Sequence, residues 1–257
     1  MPKPLSFHPP ETAHLPPLSL DELRNRCSAC SMHELCLPMG LGEADMDRLD
    51  AIIGRRRKIP KDTLLYRVGD TFTNLYAIRL GHFKTFQITQ GGDQQVTGFQ
   101  MSGELLGMDA ISTDLHHCNA VALEDSEVCE IPFTRLETLF GDIPTLLRHF
   151  HRMMSQEITR EQSIMLLLGN MRADQRFAAF LVNLSSRYAA RGYSPTSFQL
   201  RMGREEIGNY LGLTIESISR LLSKFKKQRL LKVSNRAIEI PDLALLKEVA
   251  AGTRTCD

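Results

Sequence analysis

Nowhere in this sequence of 257 residues do apolar side chains run unbroken for the roughly 18 positions that a membrane-spanning helix needs. The N-terminus also lacks the basic stretch followed by an apolar one that marks a secretory leader. Both absences point to a cytoplasmic protein with no membrane partner. Cysteine is too scarce, at six residues, for a disulfide scaffold. No Ser-His-Asp, phosphate-loop or dinucleotide fingerprint is present, so nothing supports an enzyme.

What is present is unevenly distributed. The net charge is only +1, yet 13 Lys or Arg against 4 Asp or Glu between Met171 and Arg236 leave that stretch at +9 and the remainder at −8. One end is built to meet a polyanion. Residues 1–20 hold six prolines, which deny helix and sheet their backbone donors and predict a flexible arm. Beyond it, turn signals recur at Lys61-Asp62, Gly69-Asp70, Gly81, Gly91-Gly92-Asp93, Ser102-Gly103, Thr113-Asp114 and Glu124-Asp125. Runs such as Leu75-Tyr76-Ala77-Ile78 between them predict an eight-strand antiparallel roll.

From Asp142, a candidate N-cap, the period becomes helical and stays so to Leu168. Leu147, His151, Met154, Ile158, Glu161, Met165 and Leu168 alternate in steps of four and three, a seam on which two copies would pair. Leu146, Phe150, Met153 and Ile164 beside it also suit packing on the chain's own roll. Glu161 is the exception within the seam, because facing carboxylates repel and are costly to desolvate.

Residues 204–223 fit a helix-turn-helix. Ile207, Leu211, Leu213, Ile218 and Leu221 supply the contact between two helices, Gly208 their close approach and Gly212 a turn with positive φ. Thr214 is a natural N-cap for the second helix, and residues 230–240 read as a two-stranded wing. Glu216, Ser219 and Arg220 can hydrogen-bond base edges in a major groove. Ser217, Lys224, Lys226, Lys227, Arg229 and Arg236 stand where phosphates would run.

Three cysteines, Cys27, Cys30 and Cys36, crowd into ten positions with the spacing C-x2-C-x5-C. In a reducing compartment this suggests metal ligation, and by itself it suits zinc as well as an iron-sulfur centre. A lone strand cysteine such as Cys129 is ordinarily a small core residue. Cys118 follows His116 and His117 in what reads as an exposed loop.

Roll, pairing helix and winged helix-turn-helix in this order make an α+β chain. Its expected units are the arm over 1–20, a cysteine segment and roll over 21–140, a pairing helix over 141–169 and a DNA-binding unit over 170–257. The chain resembles the superfamily of the cyclic-AMP receptor protein and the fumarate-nitrate-reduction regulator. Its strings Leu75-Tyr76-Ala77-Ile78-Arg79, Gln95-Val96-Thr97-Gly98-Phe99, Val128-Cys129-Glu130-Ile131-Pro132-Phe133, Met165-Leu166-Leu167-Leu168 and Ile207-Gly208-Asn209-Tyr210-Leu211-Gly212-Leu213-Thr214 are similar to the second branch.

That resemblance implies an oxygen-responsive homodimer that binds double-stranded DNA at sites of the TTGAT-N4-ATCAA type, with Glu216, Ser219 and Arg220 reading bases. It also implies an oxygen-labile [4Fe-4S] cluster on Cys27, Cys30, Cys36 and Cys129, and surfaces near Leu80 and around Gly92 and Asp93 that touch RNA polymerase. The seam position of Glu161 holds an aspartate in the family, which keeps the cluster-free protein monomeric. Cys118 and Cys256 have no counterpart, and Cys118 stands as the reserve fourth ligand. A zinc-stabilised or small-molecule-responsive regulator of the same fold is the alternative. Gly103-Glu104-Leu105 is kept, but His117-Cys118-Asn119-Ala120 stands where the cyclic-nucleotide branch has its phosphate-binding Arg-Ser pair, so no cyclic nucleotide is expected.

Overall fold

The computed structural model describes residues 26–254; the arm expected over 1–20 and Cys256 lie outside them. Helix α1 (Glu43–Ile52) leads into eight strands: β1 (Arg56–Ile59), β2 (Leu64–Tyr66), β3 (Asn74–Leu80), β4 (His82–Ile88), β5 (Gln94–Met101), β6 (Leu105–Leu106), β7 (Asn119–Ala122) and β8 (Ser126–Pro132). They form two four-stranded sheets, ordered β1-β8-β3-β6 and β2-β7-β4-β5, with every pairing antiparallel. The turns predicted from glycine and aspartate lie between these strands.

Strand periodicity decides what each sheet face buries. Val128 on β8 joins Ile78, Phe83 and Ala122 in one apolar cluster, while Cys129 and Ile131 on its other face join Leu75 and Ala77 in a second. That second cluster is closed by Leu49 of α1 and by two helices that follow the roll, α2 (Phe133–Asp142) and α3 (Pro144–Asn170). Leu136, Leu139, Leu146 and Phe150 are their buried contributions.

The long helix starts two residues later than its predicted cap. Asp142 ends α2 and pairs with Arg48, and Ile143 is the N-cap of α3, with Pro144 in the first turn, where a missing N–H costs nothing. Cys118 also departs from expectation: with His116 it is buried, at the entry to β7, where His116 stacks on Tyr66 with ring centres 3.7 Å apart.

After α3 come α4 (Ala173–Ala190), β9 (Ser197–Gln199), α5 (Arg204–Leu211), α6 (Ile215–Lys227), β10 (Lys232–Ser234), β11 (Ala237–Glu239) and α7 (Leu243–Ala251). Strand β9 completes a three-stranded sheet, β10-β11-β9, on the predicted wing. One core built from Phe177, Leu181, Ile207, Ile218, Phe225, Ile238 and Leu246 unites these elements.

Two sets of contacts seat this C-terminal unit on the roll. Asn209 of α5 accepts from the Val96 backbone N–H at 2.5 Å and donates to the Gln94 carbonyl at 2.6 Å, while Lys84 pairs with Glu206 at 2.6 Å. At the other, Glu104 accepts from Arg187 of α4 and from Arg191 at the C-cap of α4, each at 2.7 Å, and from Arg160 of α3 at 3.4 Å. Burial pushes the Glu104 carboxyl up, but the guanidiniums of Arg187, Arg160 and Arg191 outweigh it and hold it at about 2.

Glu104→Gln should therefore cost about 3 kcal/mol at pH 7, read by urea unfolding, because three cations lose their carboxylate. The folded carboxyl lies below its ordinary value of 4.5, so its contribution is complete at neutral pH and is lost as pH falls from 4.5 through about 2. The two proteins should converge in stability across that window.

Candidate DNA-reading and cysteine sites

The helix-turn-helix rests on two glycines. A Cβ on Gly208 would stand 2.7 Å from the Leu213 carbonyl oxygen, and Gly212, at φ +62°, caps α5 in the left-handed region. The chain thereby turns tightly enough for α6 to cross α5. Thr214 accepts the Ser217 backbone N–H on its hydroxyl at 3.2 Å and starts α6 as an N-cap, as its sequence predicts.

Ile218, Leu221, Leu222 and Phe225 bury one face of α6. On the outer face Glu216 and Arg220 are exposed, and Ser217 and Ser219 half-buried. Arg220 donates to the Ser217 hydroxyl and Arg204 to the Ser219 hydroxyl, each at 3.3 Å. These bonds hold the outer face ordered without consuming its hydrogen-bonding capacity. Lys224, Lys226 and Lys227 follow in the last turn, and Arg229 and Arg236 stand exposed beyond it, the latter on the wing turn. On α6, the residues expected to meet DNA lie off the face that Ile218, Leu221, Leu222 and Phe225 bury.

On α3, Leu147, Met154 and Leu168 are half-buried against the chain, whereas His151, Ile158, Glu161 and Met165 face solvent. Ile158 is 52% exposed and Met165 71%, which leaves an apolar stripe interrupted by one carboxylate. Leu80 is exposed at the end of β3, and Gly92 and Asp93 are exposed in the β4–β5 turn.

The structure brings four cysteines together and leaves a fifth apart. Cys27 opens a short 3-10 turn, its backbone N–H donating to Asp50 at 2.8 Å, and Cys30 closes that turn with a bond to the Cys27 carbonyl. Cys36 ends the next turns, and its carbonyl accepts from His149 Nε2 of α3 at 3.0 Å. Cys129 reaches the same place from the middle of β8, between Arg56 of β1 and Ala77 of β3. All four line one largely apolar cavity with Leu37, Leu49 and Ile78. Cys118 belongs instead to the core between the two sheets, beside Asp109.

Burial pushes up the thiols of Cys27, Cys36 and Cys129, that of Cys36 to about 12, and their mutual proximity adds to the rise. Such thiols ionise only when a cation takes the place of their protons. No three His, Cys, Asp or Glu side chains among the described residues converge closely enough for one metal ion. Not foreseen from sequence are Arg56 and Arg79 on the cavity wall, and His149 outside it against the Cys36 carbonyl. Their pairing depends on strand register and helix docking, although the two-residue step from Ala77 to Arg79 was legible.

A Crp-like helix-turn-helix domain is matched over residues 175–249 and a cyclic nucleotide-binding domain over residues 56–142. A DNA-reading helix carried on such a roll defines the class as transcription regulators. The chain is 47% identical over 228 residues to the fumarate and nitrate reduction regulatory protein of Escherichia coli K12, covering 89% of this chain and 91% of that protein. It is equally 47% identical over 229 residues to the anaerobic regulatory protein of Pasteurella multocida, covering 89% and 84% of the two. The solved structure of FixK2 from Bradyrhizobium japonicum superposes with a TM-score of 0.70 at 28% identity, over 76% of this chain and 96% of that one. The chain belongs to the fumarate and nitrate reduction regulators, a family of transcription regulators and not of enzymes.

Gly208→Ala should destabilise the DNA-binding unit by about 1–3 kcal/mol, because the added methyl meets backbone that cannot yield without opening the turn. A lowered midpoint in thermal unfolding checks this, and an unchanged midpoint would show that the two helices can separate freely.

Proposed function

We propose that this regulator senses oxygen through a [4Fe-4S] cluster held by Cys27, Cys30, Cys36 and Cys129, and that it dimerises and binds TTGAT-N4-ATCAA-type sites when oxygen is low to control anaerobic gene expression. The observation that carries this reading is the shared cavity, which four thiols from two distant parts of the chain line together. Four thiolates are the usual cage of a cubane cluster. When bound, the group would supply oxygen lability and a covalent tie between the N-terminal segment and β8.

The chain's own residues extend that tie to α3. Leu37, one residue past Cys36, is buried among Leu136, Leu139, Leu146 and Phe150, and His149 holds the Cys36 carbonyl. Order in the cysteine segment therefore bears directly on the first turns of α3. Farther along, Ile158 and Met165 supply apolar surface for a second copy, and Glu161 opposes it by like-charge repulsion, so pairing needs a favourable input from elsewhere. Paired chains would set two copies of α6 one DNA turn apart.

In the groove, Glu216, Ser219 and Arg220 would read base edges, while Ser217, Lys224, Lys226, Lys227 and Arg236 would hold phosphates. Leu80, Gly92 and Asp93 are exposed and would be available to RNA polymerase. Cyclic nucleotide has no part in this reading, since Glu104 is already committed to three arginines and His117-Cys118-Asn119-Ala120 offers no guanidinium for a phosphate.

Protein purified without air should contain iron and sulfide and show broad visible absorbance that fades in air. Cys129→Ser should abolish both and Cys118→Ser neither. A chain with zinc and no sulfide, whose DNA affinity ignores air, would falsify the cluster reading. Arg220→Ala should cost roughly 1–3 kcal/mol at one base pair of each half-site. Measured on matched and substituted duplexes, an equal loss on all sequences would instead assign Arg220 to phosphate.

A further inference from the structure

Arg176 stands half-buried in the first turn of α4, where the dipole of its own helix disfavours a cation. Its guanidinium is turned to the ends of two other helices. Nη2 donates to the Leu168 carbonyl and Nε to the Met171 carbonyl, both at 2.9 Å, and Nη1 donates to the Leu211 carbonyl at 3.2 Å. Leu168 belongs to the last turn of α3 and Met171 is its C-cap, while Leu211 is the last residue of α5. Carbonyls at a helix C-terminus lack partners within the helix and carry the negative end of its dipole. One planar cation therefore satisfies both ends at once.

The neighbours of this cation show where the two helices are joined. A Cβ on Gly212, the turn residue between α5 and α6, would stand 3.4 Å from Arg176 Nη1 and 3.4 Å from Leu168 Cδ2. The end of the long helix, the guanidinium and the turn of the helix-turn-helix meet at one point. Just past that turn, α6 starts at Ile215.

We propose that Arg176 is a positioning residue for DNA recognition: by bonding the end of α3 to the turn before α6, it fixes the separation and phase of the two reading helices in a pair. It thereby sets the spacer length between half-sites that the regulator accepts. The inference rests on the reading above that paired chains bind TTGAT-N4-ATCAA-type sites. Asn209, Glu206 and Glu104 seat the C-terminal unit on the roll of its own chain, whereas two chains are joined through α3. Arg176 bonds that helix directly to the reading unit. One base pair added to the spacer turns one half-site by about 34° and moves it about 3.4 Å relative to the other. A pair held firmly at this joint rejects such a site, and a loosened pair follows it.

The test uses the full chain purified without air. Binding is measured by fluorescence anisotropy on duplexes whose half-sites stand three, four or five base pairs apart, and on a duplex with a single half-site. In Arg176→Gln the preference for the four-base-pair spacer should narrow roughly tenfold. Affinity for the single half-site and the dimer fraction in sedimentation should stay within about twofold of the unaltered protein, because neither the base-reading face nor the seam is touched. Arg172→Gln, at the N-cap of α4 and bonded to Asp174 at 3.3 Å, should keep the full preference. Arg176→Lys keeps the charge but cannot span three backbone carbonyls, so it too should narrow the preference, and it supplies the readout where Arg176→Gln does not fold. An unchanged preference, loss of the dimer, or an equal loss on every duplex with the salt dependence of one phosphate contact removed would each overturn the assignment. Failure of the underlying reading is distinct: the unaltered protein would then show no preference among the spacers, and the assignment falls with it.

Discussion

The carboxylate of Glu104, fixed in the turn between β5 and β6, accepts hydrogen bonds from Arg160 of α3, from Arg187 of α4 and from Arg191 at the C-cap of α4. Burying a lone carboxylate is expensive, and only the three surrounding guanidiniums make the ionised form the stable one. Because its partners come from two different helices, this single group fixes where both lie against the roll. The placement of α4 then determines the placement of α5 and α6, which share its core. Together with the contacts that Asn209 and Glu206 of α5 make to β4 and β5, this acid side chain sets the position of the helix-turn-helix on the roll.

Helix α3 connects that knot to the cysteine cavity. Its first turns lie against Leu37 and beneath the Cys36 carbonyl through His149, and its middle sends Arg160 to Glu104. Glu161, the next residue, is exposed within the stripe that Ile158 and Met165 form. Adjacent residues on one helix therefore stand in different surroundings, Arg160 tied to the chain's own roll and Glu161 exposed. The helix that joins the two places has no proline after its first turn.

The fold was legible where a local rule determines local structure. Turn residues cut the roll into its eight strands, Thr214 capped the helix it was expected to cap, and Gly208 and Gly212 made the turn that their lack of a side chain permits. Local rules failed where a distant partner decided the outcome. Asp142 has the chemistry of a cap, yet Arg48, ninety-four residues away in sequence, draws its carboxylate and leaves it at the end of α2. The His-His-Cys run resembled a solvated loop, yet Tyr66 stacks on His116 and closes it into the core. Grouping Cys129 with the three N-terminal cysteines came from family resemblance, since nothing near it in sequence distinguishes it from an ordinary core residue. Arg56 was hidden for the same reason: its relation to Cys129 exists only once β1 and β8 are in register.

Asn209 has a consequence for how the protein ages. Strand β5 is the outermost of its sheet, with only β4 beside it, and an outer strand displays unsatisfied amide groups that any other extended chain can pair with. By accepting from Val96 and donating to Gln94, the Asn209 side-chain amide occupies the groups that a neighbouring strand would use. The DNA-binding unit is in this respect a lid on an aggregation-prone edge. Any event that lifts α5 from the roll, whether heat, proteolytic clipping or prolonged opening, exposes a template for intermolecular β-pairing at the same moment that it frees the regulator's reading head.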